Sequence, residues 1–198
     1  MTLSFLQAQN YTFFWICANI FVFLQSQNIL LMKKITFLFS FLCCCAIGSA
    51  QQSQDADYLA YIKQYKDIVL EQEQTYGIPA AITMAQGLLE SNAGKSELAT
   101  EANNHFGIKC TSDWKWDVYH HDDDAEAECF RKYYAAEDSF IDHSLFLKNR
   151  KRYAGLFDLG KKDYKGWAKG LSKCGYATDP RYPQKLIDLI ERYDLQNL

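Results

Sequence analysis

Glu90 is the residue whose position most suggests acid–base chemistry. It directly follows Leu88 and Leu89 and directly precedes the tetrapeptide SNAG, a sequence that stops a helix. In the last turn of a helix, the partial negative charge of the helix end disfavours a carboxylate, and apolar neighbours remove water from it. Both effects favour the protonated carboxyl that a general acid requires. A glutamate that simply faces water at a helix end is the alternative interpretation.

The segment that must hold Glu90 has the pattern of a helix. Ile82, Ala85 and Leu88 recur at helical spacing, Pro79 suits a first helical turn, and the glycine of SNAG suits the exit. The pattern therefore predicts a helix that ends near Glu90 and buries one of its faces.

Other helices are predicted on both sides of this segment. An apolar stripe predicts a helix over about residues 57–74, and Ser96 suits the N-cap of a short helix that runs through Ala102. Capping and proline signals predict three later helices, which begin at Asp138 or Ser139, at Asp163 and at Pro183.

Residues 111–131 differ in character from the helical segments. Residues 118–120 and 128–131 have the composition of two short strands, and an acidic run lies between them. We therefore predict an α+β fold that is mostly α, in which a small β-hairpin lobe is inserted into a helical body.

Residues 1–50 have the pattern of a targeting segment. Their only charges are Lys33 and Lys34, which precede an apolar run over residues 35–47 and the small residues GSA. This is the pattern of a signal peptide that is cleaved before Gln51. We therefore expect export to the periplasm, the cell surface or the medium.

The first 31 residues precede the charged region and have no place in such a signal. We interpret residues 1–31 as an upstream mis-start and Met32 as the true start. A membrane anchor made from residues 13–24 is the alternative. After signal removal we expect one monomeric domain, residues 51–198, without stable membrane insertion.

Charge and cysteine content restrict the partners of the mature chain. Removing residues 1–50 takes away two lysines and no acidic residue, so the net charge changes from −3 to −5, which argues against nucleic acid. Cys110 and Cys129 bracket one short segment and would pair in an oxidising compartment, which leaves Cys174 as an odd thiol. Three reduced cysteines are the alternative.

A metal site and a cofactor are not expected. His120 and His121 are neighbours on a predicted strand, so their side chains point to opposite faces and do not easily share one ion. The chain also lacks a glycine-rich phosphate loop and a pattern for a serine or cysteine nucleophile.

Several motifs resemble those of bacterial glucosaminidases of glycoside hydrolase family 73. LLESNAGKSELA and NNHFGIK are similar to the catalytic helix and the following turn of that family. Further similar segments are FRKYYAAEDSFIDHSLFL, KNRKRYAGLF and GYATDPRYPQKL. The resemblance spans roughly Tyr76 to the C-terminus in the family's order. It departs from the family after the glutamate, where Glu-Ser-Asn-Ala-Gly replaces a Glu-Ser-Gly that a tryptophan usually follows.

The resemblance implies a lysozyme-like helical body, a cleft beside the hairpin lobe and a set of site residues. Glu90 would be the general acid, and a second carboxylate on the hairpin, Asp122 or Asp123, would act on the other face of the sugar. Substrates with a 2-acetamido group can supply their own nucleophile, and the hairpin acid or Tyr176 would then orient that amide or a water. Tyr176 as a core residue is the alternative.

Substrate contacts are predicted from aromatic and polar side chains within or near these motifs. Trp114 and Trp116 offer flat faces for sugar stacking, although simple packing of the hairpin lobe explains them equally well. The remaining predicted contacts are Gln86, Asn104, Phe106 and Tyr182.

The implied activity is hydrolysis of the β-1,4 bond after N-acetylglucosamine in peptidoglycan glycan strands. Cleavage after N-acetylmuramic acid, by hydrolysis or transglycosylation, is the alternative within enzymes. A non-catalytic glycan-binding domain that uses the same cleft is the alternative outside enzymes.

Overall fold

A computed structural model describes residues 55–122 and 126–198 of the chain. The predicted signal segment, the alternative anchor over residues 13–24 and Asp123 lie outside the described residues. Helix α1 occupies residues 55–76, and α2 (Ala80–Glu90) and α3 (Glu97–Ala102) follow it. The rest of the chain forms β1 (Val118–His121), β2 (Glu128–Arg131), α4 (Ala136–Asn149), a 3-10 helix (Lys151–Asp158), α5 (Tyr164–Lys173), α6 (Tyr182–Arg192) and a last 3-10 turn (Leu195–Asn197).

Helix α2 is the centre of the core. Every residue from Ala80 to Leu88 is buried, whereas its sequence pattern predicted only one buried face. The reason is that α1, α5 and α6 all direct apolar residues towards it, among them Val69, Trp167 and Ile190. The helix therefore holds its last residue, Glu90, on a rigid support.

The hairpin lobe is small and is fixed at its base. Strands β1 and β2 pair antiparallel with Val118 opposite Arg131 and His121 opposite Glu128. The structure joins Cys110 and Cys129 in a disulfide, the pairing that their spacing predicted, and Cys174 is a free thiol. The predicted fold class, a mostly helical body with a small hairpin lobe, is confirmed.

Side-chain caps set two of the helix starts that the sequence predicted. Ser96 accepts a hydrogen bond from the Ala99 N–H, and Asp163 accepts one from the Gly166 N–H, as helix N-caps do. Helix α4 begins at Ala136, earlier than predicted, because Asp138 lies in its first turn and accepts from the Ala135 N–H. Within residues 55–122 and 126–198, no helix is long and apolar enough to cross a membrane.

Candidate functional site

A cleft of about 860 Å³ opens between the helical body and the hairpin lobe. Its volume is in the range of ligand-binding sites. We call it the acid cleft because Glu90 lines it. Its lining combines side chains from α2, α3, β1, the end of α4 and the segment that leads into α6. The polar and aromatic members include Glu90, Glu97, Phe106, Lys109, His121, Phe146, Arg150, Tyr176, Asp179, Tyr182 and Lys185.

An unusual turn places Glu90 at the end of α2. Asn92, Ala93 and Gly94 have φ values of 50°, 55° and 79°, so three consecutive residues occupy the left-handed region. This region is unfavourable for residues with a side chain, and such strain is concentrated at functional sites. Buried Ser91 stabilises the turn, because its hydroxyl donates to the Gly87 carbonyl and accepts from the Gly94 N–H.

A chain of two hydrogen bonds fixes the Glu90 carboxyl group. The buried Gln86 amide donates from Nε2 to the Tyr182 hydroxyl at 3.0 Å, and that hydroxyl donates to Glu90 Oε1 at 2.8 Å. Because the Tyr182 oxygen accepts from Gln86, its own proton is directed at Glu90. The chain therefore gives the carboxyl a defined orientation in the cleft.

Tyr176 extends this arrangement along the cleft wall. Its ring stacks on Tyr182 with ring centres 5.7 Å apart. Burial raises the pKa of both hydroxyls, and the charge on Glu90 raises each further. Both tyrosines therefore remain protonated at neutral pH and present O–H donors near the carboxylate.

Phe106 lies in the wall of the cleft, as predicted for a substrate contact, although it is almost fully buried. Its ring stacks on His143, with ring centres 4.0 Å apart. Burial lowers the pKa of His143 to about 3, so this imidazole is neutral. Neither of its ring nitrogens has a hydrogen-bond partner among the described residues.

Glu97 connects the helical body to the hairpin at the rim of the cleft. Its carboxylate accepts from the Tyr119 hydroxyl at 2.7 Å and lies 3.4 Å from His121 Nδ1. The Tyr119 hydrogen bond is the largest cause of a lowered pKa at Glu97. The sequence did not predict this contact. The acidic residue directly after a capping serine indicated only that Glu97 lies in a first helical turn.

His120 points away from His121 and is exposed, as expected for neighbours on a strand. Within the described ranges, no group of three or more histidine, cysteine or acidic side chains could hold a metal ion.

Gln86 and Asn104, which were predicted as substrate contacts, are not among the residues that line the cleft. Gln86 is fully buried beneath Tyr182. Asn104 is also buried, and its amide donates to the carbonyls of Ile108 and Arg131 while its Oδ1 accepts from the Ile108 N–H. Both side chains are occupied in positioning other parts of the site.

Asp122 is not placed in the acid cleft either. Its Oδ1 accepts from the Ala127 N–H at 2.7 Å, so the carboxylate holds the hairpin turn and is otherwise exposed. Among the described residues, the cleft contains two carboxylates besides Glu90. These are Glu97, which holds the rim, and Asp179, which pairs with Lys185 at 2.7 Å.

Trp114 and Trp116 line a second cavity, of about 580 Å³, that shares no lining residue with the acid cleft. We call it the aromatic groove. Its apolar lining consists of Trp114, Trp116, Tyr133, Tyr134, Ile141 and Leu145. The Arg131 guanidinium lies 4.4 Å from the ring centre of Trp114, and the indole N–H donates to the Asp117 carbonyl. The predicted sugar-stacking residues therefore line a different cavity from Glu90.

The chain thus combines a helical body, a small hairpin lobe and a glutamate at the end of the central helix. The glucosaminidase family model, described as mannosyl-glycoprotein endo-beta-N-acetylglucosaminidase, matches residues 66–195. The chain belongs to this family, as the resemblance of its motifs predicted.

Similar proteins include two curated relatives and one crystal structure. The exo-glucosaminidase LytG of Bacillus subtilis (strain 168) is 37% identical over 62% of this chain and 46% of its own length. The peptidoglycan hydrolase FlgJ of Vibrio cholerae is 29% identical over 77% of this chain and 48% of its own length. A peptidoglycan hydrolase from Sphingomonas sp. A1 has a TM-score of 0.62 and 31% identity over 70% of this chain and 90% of its own. The chain spans about half the length of these curated relatives.

Proposed function

We propose that this protein is a peptidoglycan hydrolase that cleaves the β-1,4 bond after N-acetylglucosamine, an endo-β-N-acetylglucosaminidase. The observation that carries the proposal is the chain from Gln86 through Tyr182 to Glu90, which fixes one carboxyl group in an open cleft. Membership of the glucosaminidase family and the names of the peptidoglycan hydrolases among its relatives support the choice of substrate.

In this proposal, Glu90 is the general acid. Because Oε1 already accepts the Tyr182 proton, we assign the transferable proton to Oε2, which would deliver it to the leaving oxygen of the sugar. Tyr182 is then a positioning residue that keeps the carboxyl from rotating. Gln86 positions Tyr182 in turn.

The second group of the reaction is either Asp123, which lies between the two strands in the sequence, or the 2-acetamido group of the substrate. In the second case, the neutral Tyr176 hydroxyl would orient the acetamido group, which attacks the sugar carbon from within the substrate. Asp123→Asn distinguishes the two routes. A loss of activity as large as that of Glu90→Gln would support Asp123, and a much smaller loss would support the acetamido group.

We also propose that the chain is exported and acts at the cell wall, with residues 32–50 as its signal. The disulfide between Cys110 and Cys129 supports this location, because such bonds persist in oxidising compartments. N-terminal sequencing of the exported protein should begin at Gln51. A mature protein that retains residues 13–24 would contradict the proposal.

Digestion of purified sacculi, followed by reduction and mass spectrometry of the released fragments, tests the reaction. Reduced N-acetylglucosamine ends would support the proposal. Reduced muramic ends would indicate a muramidase, and anhydro-muramic ends a lytic transglycosylase. Binding to sacculi without any released fragment would instead identify a glycan-binding domain.

A further inference from the structure

Four side chains follow one another along the wall of the acid cleft, and their order defines a direction. Tyr182 donates to Glu90, and Tyr176 stacks on Tyr182. Phe146 meets Tyr176 edge to face with ring centres 6.3 Å apart, and the Arg150 guanidinium carbon lies 3.8 Å from the centre of the Phe146 ring. Arg150 is thus separated from the acid by three aromatic rings along one wall of the cleft.

Arg150 differs from the two lysines of the cleft in its electrostatic environment. Lys109 pairs with Glu128 at 2.9 Å, and Lys185 pairs with Asp179 at 2.7 Å. Among the residues that the structure describes, no carboxylate lies within ion-pair distance of Arg150.

Among the described residues, the charged groups that act on Arg150 do not neutralise its positive charge. Burial is the main cause of its lowered pKa, and the positive charges of Arg152 and Arg131 lower it further. Asp142 is the nearest acid that acts on it, but Asp142 accepts two hydrogen bonds from Arg131 at 2.9 Å and one from Tyr133. A partly desolvated cation without an opposite charge is unfavourable unless an anionic ligand supplies that charge.

We propose that Arg150 is a specificity-determining residue that binds a carboxylate on the muramic side of the substrate. The inference rests on the proposed function, since cleavage after N-acetylglucosamine places N-acetylmuramic acid next to the reacting bond. That sugar carries a lactyl group, whose carboxyl is either free or linked to a stem peptide with carboxylates of its own. A glycan made only of N-acetylglucosamine has neither group.

The geometry of Arg150 suits this role. A guanidinium presents its N–H groups in one plane, as a fork that matches a carboxylate. The guanidinium lies over the Phe146 ring, with its carbon 3.8 Å from the ring centre, in a cation–π contact. The side chain is therefore held in an orientation before the substrate arrives, which reduces the entropy lost on binding.

Calorimetric binding in the non-cleaving Glu90→Gln background tests the inference. The probes are peptide-free glycan strands with a free lactyl carboxylate, strands that carry stem peptides, and chitin oligosaccharides of equal length. We expect Arg150→Gln to weaken binding of a carboxylate-bearing strand roughly tenfold and binding of chitin less than about twofold. Arg150→Lys should recover part of the loss, because it restores the charge without the fork.

Lys151→Gln is the matched control, since it removes one positive charge from an exposed neighbour that does not line the cleft. A loss on peptide-free strands alone would identify the lactyl carboxylate, and a loss on peptide-bearing strands alone would identify the stem. Equal losses on all three probes, or none on any of them, would overturn the inference. A chain that binds in this pattern but releases no fragments from sacculi would contradict the proposed hydrolysis and leave the assignment of Arg150 intact.

Discussion

The acid cleft and the aromatic groove share no lining residue, and they are built in different ways. In the cleft, buried polar groups form a chain of hydrogen bonds that runs from Gln86 through Tyr182 to the carboxyl group of Glu90. In the groove, large rings face solvent, and Trp116 and Tyr134 are 70% and 99% exposed. Beside these rings, Arg131 packs against Trp114 and pairs with Asp142.

This difference shows which features of a concave surface indicate a catalytic site. Aromatic side chains make up a larger share of the residues that line the groove, and Trp114 and Trp116 were predicted as possible sugar contacts. The cleft nevertheless has the oriented hydrogen-bond donors and the strained turn that active sites require. Pre-organised polar groups around one carboxyl are therefore a better guide to a reaction site than exposed rings.

The largest expected effect is a difference in hydrolysis rate between a variant of the acid cleft and a variant of the aromatic groove. Glu90→Gln keeps the shape of the side chain but removes the transferable proton, so the rate of sacculus hydrolysis should fall about 10²–10⁴-fold. Trp116→Ala in the groove should change that rate less than about threefold, because it removes an exposed ring outside the cleft. Initial rates of dye-labelled sacculus solubilisation check both. A greater loss from Trp116→Ala would reverse the roles that we assign to the cavities.

Removal of the disulfide between Cys110 and Cys129 tests whether this bond stabilises the segment that contributes residues to both cavities. Cys110 lines the cleft, and the loop that the disulfide closes carries Trp114. The closed loop is of a length for which chain entropy contributes about 3 kcal/mol, so replacing both Cys110 and Cys129 with serine should lower the free energy of unfolding by about that amount.

Urea unfolding, with hydrogen exchange of the hairpin amides, measures this loss. Cys174→Ser is the control, because Cys174 is a free thiol outside the hairpin, and it should lower stability by less than about 1 kcal/mol. Equal stability of the oxidised and the disulfide-free protein would show that the hairpin base does not depend on the bond.

Tyr182→Phe sharpens the description of the cleft. The substitution removes the donor to Glu90 Oε1 and leaves the buried Gln86 amide without that acceptor. We expect kcat to fall roughly tenfold, in line with the loss of one hydrogen bond to a charged group. Tyr193→Phe is the matched control, since its hydroxyl donates to Asp55 on a different part of the body. Similar kinetics for the two variants would argue against a positioning role for Tyr182.

The smallest expected effect concerns pH. Burial lowers the pKa of His105 to about 4 and that of His143 to about 3, below the value of about 6.5 of an unfolded histidine. Below pH 6.5 the unfolded chain therefore binds protons that the folded chain does not. The free energy of unfolding should fall as pH decreases from about 6.5 to 4, by at most about 1.4 kcal/mol per pH unit for each histidine.

His143 stacks on Phe106 in the cleft wall. Because His143→Leu removes one of the two buried histidines, it should reduce this slope. His120→Gln on the exposed face of β1 should leave it unchanged. Urea unfolding at several pH values measures the slopes. A slope in His143→Leu that equals the wild-type slope would show that His143 does not contribute to the acid sensitivity.

The local elements of this protein follow from the sequence by itself. Ser96 and Asp163 cap helices where they were predicted, and residues 118–121 and 128–131 form the two expected strands. The SNAG turn ends α2 at Glu90 as predicted. These features depend on backbone hydrogen bonds and side-chain spacing within a few residues, which a sequence displays directly.

Only the tertiary structure decided which side chains share a cavity. Gln86 and Asn104 have types suited to sugar recognition, but packing buries both of them and occupies their hydrogen-bonding groups. Trp114 packs against Arg131 and lines the aromatic groove, whereas Arg150 packs against Phe146 and lines the acid cleft. The physical reason is that a side chain's surroundings depend on contacts between segments far apart in the chain, and one-dimensional spacing does not encode how those segments pack.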